Sequence, residues 1–294
     1  MAVGMSNKSP FVLPPPAMRR DAEEAKIDIS QDTESDQVTI LKVLEVLDGF
    51  REQGMEKHFF DFCRSNFINV AAIEMISDLR QNIARELSAI GYIDPAEMKD
   101  WHNRNGSGPN LAFLQSAIVA GVFPNVASRQ ERARYFGTAM NQLCKIHRSS
   151  VNGSFRQPLS SKKGQKMHQL VAYGEMIKGV GAHYTINQTT RVSSVLPILL
   201  LCGEFTIRPA YSIGKNGKEE LDNVVISVDG LISVQCDRQT ASTLTLLRKR
   251  LDLIFQHIIS DPQRGFDGLT QMEKNTLLVL DAVMKSSFDQ SSST

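Results

Sequence analysis

No run of 18 apolar residues occurs anywhere in this chain of 294 residues. The longest candidate, Val195–Cys202, is interrupted by Pro197, so a membrane-spanning helix is excluded. Cysteine is scarce: Cys63, Cys144, Cys202 and Cys236 are scattered and form no C-x-x-C pair. That argues against a structural zinc site or a disulfide framework and suits a reducing compartment. The opening MAVGMSNKSP has no basic stretch leading into an apolar one, so no secretory signal is visible. An intracellular place, cytoplasm or nucleus, is the expectation.

Catalytic signatures are missing too. A phosphate-cradling loop needs a glycine five residues before Gly-Lys-Ser/Thr. The nearest segment, Gly217-Lys218, is followed by Glu219 and has Ser212 at the glycine position. It fails. There is no Asp-Glu-x-His for metal-bound ATP and no Gln-x-x-Gly-Arg-x-Gly-Arg for a γ-phosphate. The six histidines show no metal-ligand spacing, and no Gly-x-Ser-x-Gly supports a serine nucleophile. The chain is expected to have no enzymatic activity, metal or cofactor of its own.

What is present is a polarity of charge hidden by a net of +1. Residues 21–61 carry twelve acids against four bases, whereas 129–191 carry eleven bases against Glu131 and Glu175. A basic segment of this kind points to a polyanion partner; solvated loops are the plainer explanation.

The first half reads as helices. Pro14-Pro15-Pro16 precedes a short charged helix over 17–29, and Ser35 or Asp36 can cap the next, whose Ile40, Val43, Leu44, Leu47 and Phe50 recur at helical spacing. A third covers His58–Phe67, where Phe59, Phe60, Phe62 and Phe67 read as packing anchors and Cys63 as a small buried hydrophobe. A fourth, about 69–90, sets Ile73, Ile76, Leu79, Ile83, Leu87 and Ile90 on one core stripe and stops at Gly91. Asp94-Pro95-Ala96-Glu97 is a further helix start, Asn103–Pro109 a loop, and 110–121 helix again.

Beyond about 130 the pattern becomes short β-type segments at 142–147, 168–178, 182–188, 204–211, 223–228 and 231–235, with turns at Gly214–Gly217 and Asp229-Gly230. About five short strands with one apolar insertion, 195–202, suit a small closed barrel. A helix from Thr240 to Ser260 follows, with Leu244, Leu247, Leu251, Ile254, Phe255 and Ile258 on one face and Asp261-Pro262 as its stop. One more helix is expected around Leu277–Met284, before a Ser-rich tail. The expected class is α+β: lead-in 1–16, helical bundle 17–128, five-stranded barrel 129–262 with its closing helix, and a helical or disordered tail 263–294.

One constellation differs in kind. Lys145-Ile146-His147-Arg148-Ser149-Ser150-Val151-Asn152 follows an apolar strand end with a cation, a ring and two hydroxyls. Such groups hold phosphates and stack on unpaired bases, yet Ser149, Ser150 and Asn152 can equally build a turn.

Taken in order, Ser9-Pro10-Phe11, Met75–Arg80, Ala120–Ala127, His147–Asn152 and Leu244–Pro262 resemble the C-terminal half of a DEAH/RHA-type RNA helicase. Tyr173-Gly174-Glu175-x-x-Lys178 and Pro197–Gly203 resemble two further segments of that family. The resemblance covers about 9–262. It implies a helical "ratchet" (helicase-associated) domain followed by an OB-fold, without the two motor domains and the winged helix that precede them in the family. It also implies nucleic-acid contacts at His147, Arg148 and Ser150, with Lys145 and Lys178 as neighbouring cations. The expected role is an accessory module, truncated or stand-alone, that guides single-stranded RNA, or DNA, and docks motor domains or an activator protein. ATP and Mg²⁺ belong only to the complete helicase. Two alternatives stay open: a protein-interaction module docking an acidic partner, and an incomplete gene model of a full helicase.

Overall fold

Short polar side chains stand at most of the helix starts, where they satisfy first-turn N–H groups that have no partner inside the helix. The structure is a computed structural model describing residues 9–93, 110–130, 133–153, 168–179, 184–210, 212–213, 219–220, 223–263 and 268–292. After a 3₁₀ turn at Pro16–Met18 come α1 (Arg19–Ser30), α2 (Asp36–Glu52), α3 (Glu56–Ser65) and α4 (Val70–Ala89). Of the two candidate caps for α2, Ser35 is the one used: its hydroxyl accepts from the Val38 N–H at 3.2 Å. Asn69 caps α4 in the same way, accepting from the Ala72 N–H at 3.1 Å.

The helical stripes meet in one core. Ile40, Val43, Leu44 and Leu47 of α2 pack on Phe59, Cys63, Ile68, Ile73 and Ile76, each large side chain gaining about 1.5–3 kcal/mol by leaving water. Burial pushes the Cys63 thiol up to about 11, so it is an inert packing group. Two expectations need correction. The α4 stripe is core only as far as Leu79; Ile83 and Ile90 lie beyond that cluster and are exposed. Phe60 also faces solvent, because it follows Phe59 by one residue and the helix turns it off the buried face. The helix expected at Asp94–Glu97 and the loop Asn103–Pro109 lie outside the described residues.

Helix α5 (Leu111–Val122), capped by Asn110, leads into the strands β1 (Val126–Gln130), β2 (Phe136–Thr138), β3 (Leu143–Ile146), β4 (His168–Lys178) and β5 (Tyr184–Val192). These close into a barrel in the order β1-β2-β3-β5-β4, with β3 and β5 parallel and the other pairs antiparallel. Ala127, Phe136, Cys144, Val171, Tyr173 and Ile186 fill its interior. This is the five-stranded barrel the sequence suggests, built partly from other strands. The segments 204–211 and 223–228 do not join it. They become β6 (Phe205–Pro209) and β9 (Asn223–Val228), which with β10 (Ile232–Asp237) form a separate antiparallel sheet. Short β7 (Ser212–Ile213) and β8 (Glu219–Glu220) pair beside it, and the turn expected at Gly214–Gly217 lies outside the described residues. Two strands unseen in the sequence, β1 and β2, supply the rest of the barrel, and the division expected near 128 falls inside β1.

The apolar insertion is helical, α6 (Leu196–Leu201), and it packs between the barrel and the second sheet. Two long helices finish the chain, α7 (Arg238–Ser260) and α8 (Gln271–Ser292). Phe255 departs from the expected apolar face of α7 and is exposed, whereas Leu251 and Ile254 are buried. The presumed tail is mostly structured: Leu280 and Met284 of α8 bury against Ala112, Leu200 and Leu251. Among the described residues no helix is long and apolar enough to cross a membrane.

The start of α8 yields a pH prediction. Thr270 and Glu273 form a reciprocal cap, with the Thr270 N–H donating to Glu273 at 2.7 Å and the Glu273 N–H to the Thr270 hydroxyl at 3.3 Å. The Thr270 N–H, then His257, then the Thr270 hydroxyl pull the Glu273 carboxyl from 4.5 down to about 2. A carboxyl depressed in the folded state stabilises fully above its unfolded value and loses that effect as pH falls through the folded one. The thermal midpoint should therefore decline from about pH 4.5 toward about pH 2, and Glu273→Gln should flatten part of that decline. Identical acid profiles for parent and variant would remove the cap from the argument.

Candidate nucleic-acid interface

Alternation along a strand places residues two apart on one face. On β3, Cys144 points into the barrel, so Leu143 and Lys145 point out, and His147 continues their row just past the strand end. Tyr135 stands just before the neighbouring strand β2. It precedes inward-facing Phe136, which pairs with Cys144, and this register sets Tyr135 opposite Lys145. The Lys145 Nζ lies 5.1 Å from the centre of the Tyr135 ring, and the Arg134 guanidinium lies 5.8 Å from it. An aromatic ring with two cations within about 6 Å of its centre, beside exposed Leu143, can stack a base while the cations take its phosphates. OB-type barrels use this outer face of the second and third strands, with the loops after the first and fourth.

Lys178 stands elsewhere. It ends β4 opposite Tyr184, whose ring lies 6.0 Å from its Nζ, at the loop joining β4 and β5. Register places Tyr184 beside Cys144 and Ile186 beside Ile146, so Lys178 and His147 flank Lys145 along the strand direction. Arg129 is held against Phe136 at 4.7 Å and against the Gln169 side chain at 3.0 Å. Burial lowers its affinity for a proton somewhat. Burial also pushes the Cys144 thiol up to about 11.

The segment after β3 divides in two. His147 Nδ1 accepts from the Ser149 N–H at 3.2 Å, so a neutral ring carries its proton on Nε2. Arg148 is exposed. These two form a rim. A side chain at Gly153 would meet the backbone of His147 and Arg148 at 2.8 Å, so only glycine lets the turn close there. Ser150, in contrast, points inward: it is 8% exposed and shares a 2.7 Å hydrogen bond with the Thr189 hydroxyl. Asn152 is buried beside it and donates to the Glu34 carbonyl at 3.0 Å and the Thr189 hydroxyl at 2.9 Å. The segment thus divides by residue: His147 and Arg148 form a polar rim, and Ser150 and Asn152 build a turn.

That turn is gripped from the helical segment. Asp36 Oδ1 accepts from Lys26 Nζ at 2.6 Å and from the Val151 N–H at 3.0 Å, while Oδ2 accepts from the Thr189 N–H at 2.8 Å. Lys26 also donates to the Ser149 carbonyl at 2.7 Å. Alongside, Ser35 and Thr190 share a 2.7 Å hydroxyl contact, Gln37 donates to the Gln188 carbonyl at 2.7 Å, and Arg191 pairs with Glu34 at 2.6 Å. A cleft lies where the two parts meet, with Leu13, Arg19 and Ile27 on one wall and Arg148, Ser149 and Val151 on the other.

A larger groove of about 410 Å³ separates β1 and β2 from the Leu231–Val234 edge. No charged side chain lines it, so it offers phosphates nothing. Among the described residues, no group of three or more His, Cys, Asp or Glu gathers to hold a metal. Sequence reasoning missed Tyr135; its signal was an aromatic pair, Tyr135-Phe136, next to Arg134 in the basic segment.

Comparisons with known proteins agree with this architecture. Residues 114–205 match the model of the oligonucleotide/oligosaccharide-binding (OB)-fold family. The chain is 30% identical over 154 residues to the Arabidopsis thaliana DExH-box ATP-dependent RNA helicase DExH1, covering 52% of this chain and 15% of the helicase. It is 23% identical to the human ATP-dependent RNA helicase DHX29 over 281 residues, 91% of this chain and 18% of that protein. The human ATP-dependent DNA/RNA helicase DHX36 is 23% identical over 268 residues, 89% of this chain and 24% of its own length. The chain thus spans less than a quarter of the length of these relatives. The OB-fold match agrees with the closed barrel, and DHX29 and DHX36 are similar to this chain over about nine-tenths of its length.

Proposed function

We propose that this chain is a nucleic-acid-binding accessory module that guides single-stranded RNA over the outer face of β2 and β3 and hydrolyses no ATP itself. The observation that carries the reading is the Tyr135 ring with Lys145 and Arg134 both close to it, near His147. A base stacks on a ring whatever its sequence, and the cations follow the backbone, so the face suits an unpaired strand of mixed sequence. The relatives' names support RNA, with DNA as a further substrate. Docking of motor domains or an activator protein belongs to the same proposal. Exposed Met140 and Leu143 beside Lys145 favour one second reading, a surface for an acidic protein partner.

Titration with a single-stranded oligonucleotide at several salt concentrations tests the reading. Each phosphate contact adds about −0.7 to the log–log slope for a single strand, so Arg134, Lys145, Arg148 and Lys178 together give a slope of about −3. A flat salt dependence, or no binding at low salt, would favour the protein-partner reading.

A further inference from the structure

We propose that the buried Lys26–Asp36 ion pair positions the Arg148–Ser149 rim and thereby sets how tightly the barrel holds a single strand. The inference rests on the nucleic-acid reading above. The pair comes from α1 and α2, more than a hundred residues away in sequence, yet it touches the rim's own backbone. Lys26 holds the carbonyl of Ser149, and Asp36 holds the N–H of Val151 two residues on. The other Asp36 oxygen fixes Thr189, whose hydroxyl in turn meets Ser150. At the opposite end, the His147 N–H donates to the Ile186 carbonyl at 2.9 Å. Arg148 is therefore suspended between anchored residues on both sides.

A rim fixed in advance binds more tightly because less ordering remains to be done on association. Asp36 is 4% exposed and Lys26 7%; Asp36 accepts three hydrogen bonds from the protein, and Lys26 donates two and lies over the Phe11 ring. Their effect on a ligand passes through the turn. They are positioning residues, and the helical segment is then part of the binding device of the barrel.

The test is fluorescence-anisotropy titration of single-stranded oligouridylate with the whole chain and its variants, at a temperature where circular dichroism shows each folded. Lys26→Met should bind about tenfold more weakly, the scale of one lost stacking contact. Lys26→Arg, which keeps the charge and the donors, should stay within about twofold of the parent. In a His147→Ala/Arg148→Ala background, Lys26→Met should add no further loss, because the groups it positions are gone. Should Lys26→Met fail to fold, Lys26→Met/Asp36→Asn leaves no bare charge and carries the same comparison.

Parent-like binding by Lys26→Met would overturn the inference while leaving the nucleic-acid reading intact. A full additional loss in the double-alanine background would overturn it too, since it would make Lys26 a direct contact. Absence of binding by the parent at low salt would overturn both.

Discussion

Asp36→Ala is expected to lower stability by about 3–5 kcal/mol, the usual cost of removing one partner from a buried ion pair. Alanine leaves the Lys26 ammonium, 7% exposed, with the Ser149 carbonyl and the Phe11 ring but no counter-charge, and it strips the Val151 and Thr189 N–H groups of their acceptor. Each unsatisfied buried donor costs about 1–3 kcal/mol. At roughly 2–4 °C per kcal/mol for a chain somewhat smaller than this one, the midpoint should fall by about 10 °C. Lys26→Met/Asp36→Leu should recover only the part of the loss owed to the bare ammonium, because the Val151 and Thr189 N–H groups still lack their acceptor. Differential scanning calorimetry decides. A drop under about 1 kcal/mol for Asp36→Ala would mean that the helical segment and the barrel are not joined through this carboxylate.

The helices were legible because their signals are local. Ser35 and Asn69 announce their helices by capping within three residues, and the α2 stripe repeats at one fixed spacing. The sequence could not tell which short strands pair with which. Val126–Gln130 has three polar residues among five, and Phe136–Thr138 is three residues long, so neither carries enough alternation to be recognised alone. Closure of the barrel supplies their partners, and closure is a long-range property. The exposed ends of the α4 stripe show the same limit in reverse: periodicity marks an apolar face without saying how far its partner extends.

The candidate site divides along similar lines. Lys145, His147 and Arg148 were found because residue types in one short segment carry recognisable chemistry. Ser150 belongs to that segment but turns inward, since its hydrogen-bond partner is Thr189, in a strand 39 residues later. Asn152 serves Glu34, 118 residues earlier. Tyr135 went unnoticed because nothing local ties it to Lys145; only the pairing of Phe136 with Cys144 brings them together.

The most direct test of the barrel face as a single-strand platform is the affinity of Tyr135→Ala/Lys145→Ala for a single-stranded RNA oligomer at low salt. Losing a stacked base costs about 1–3 kcal/mol, and one released phosphate contact adds to it. At 1.4 kcal/mol per factor of ten, binding should weaken about thirty- to hundredfold. Both side chains stand on the outside of the barrel, so the thermal midpoint should stay nearly where it was. Arg208→Ala, on the outward side of β6, removes a cation from the second sheet and should change affinity by no more than about twofold. Parent-like binding by the Tyr135/Lys145 variant, with a steep loss for Arg208→Ala, would contradict the assignment and move the strand to the other sheet.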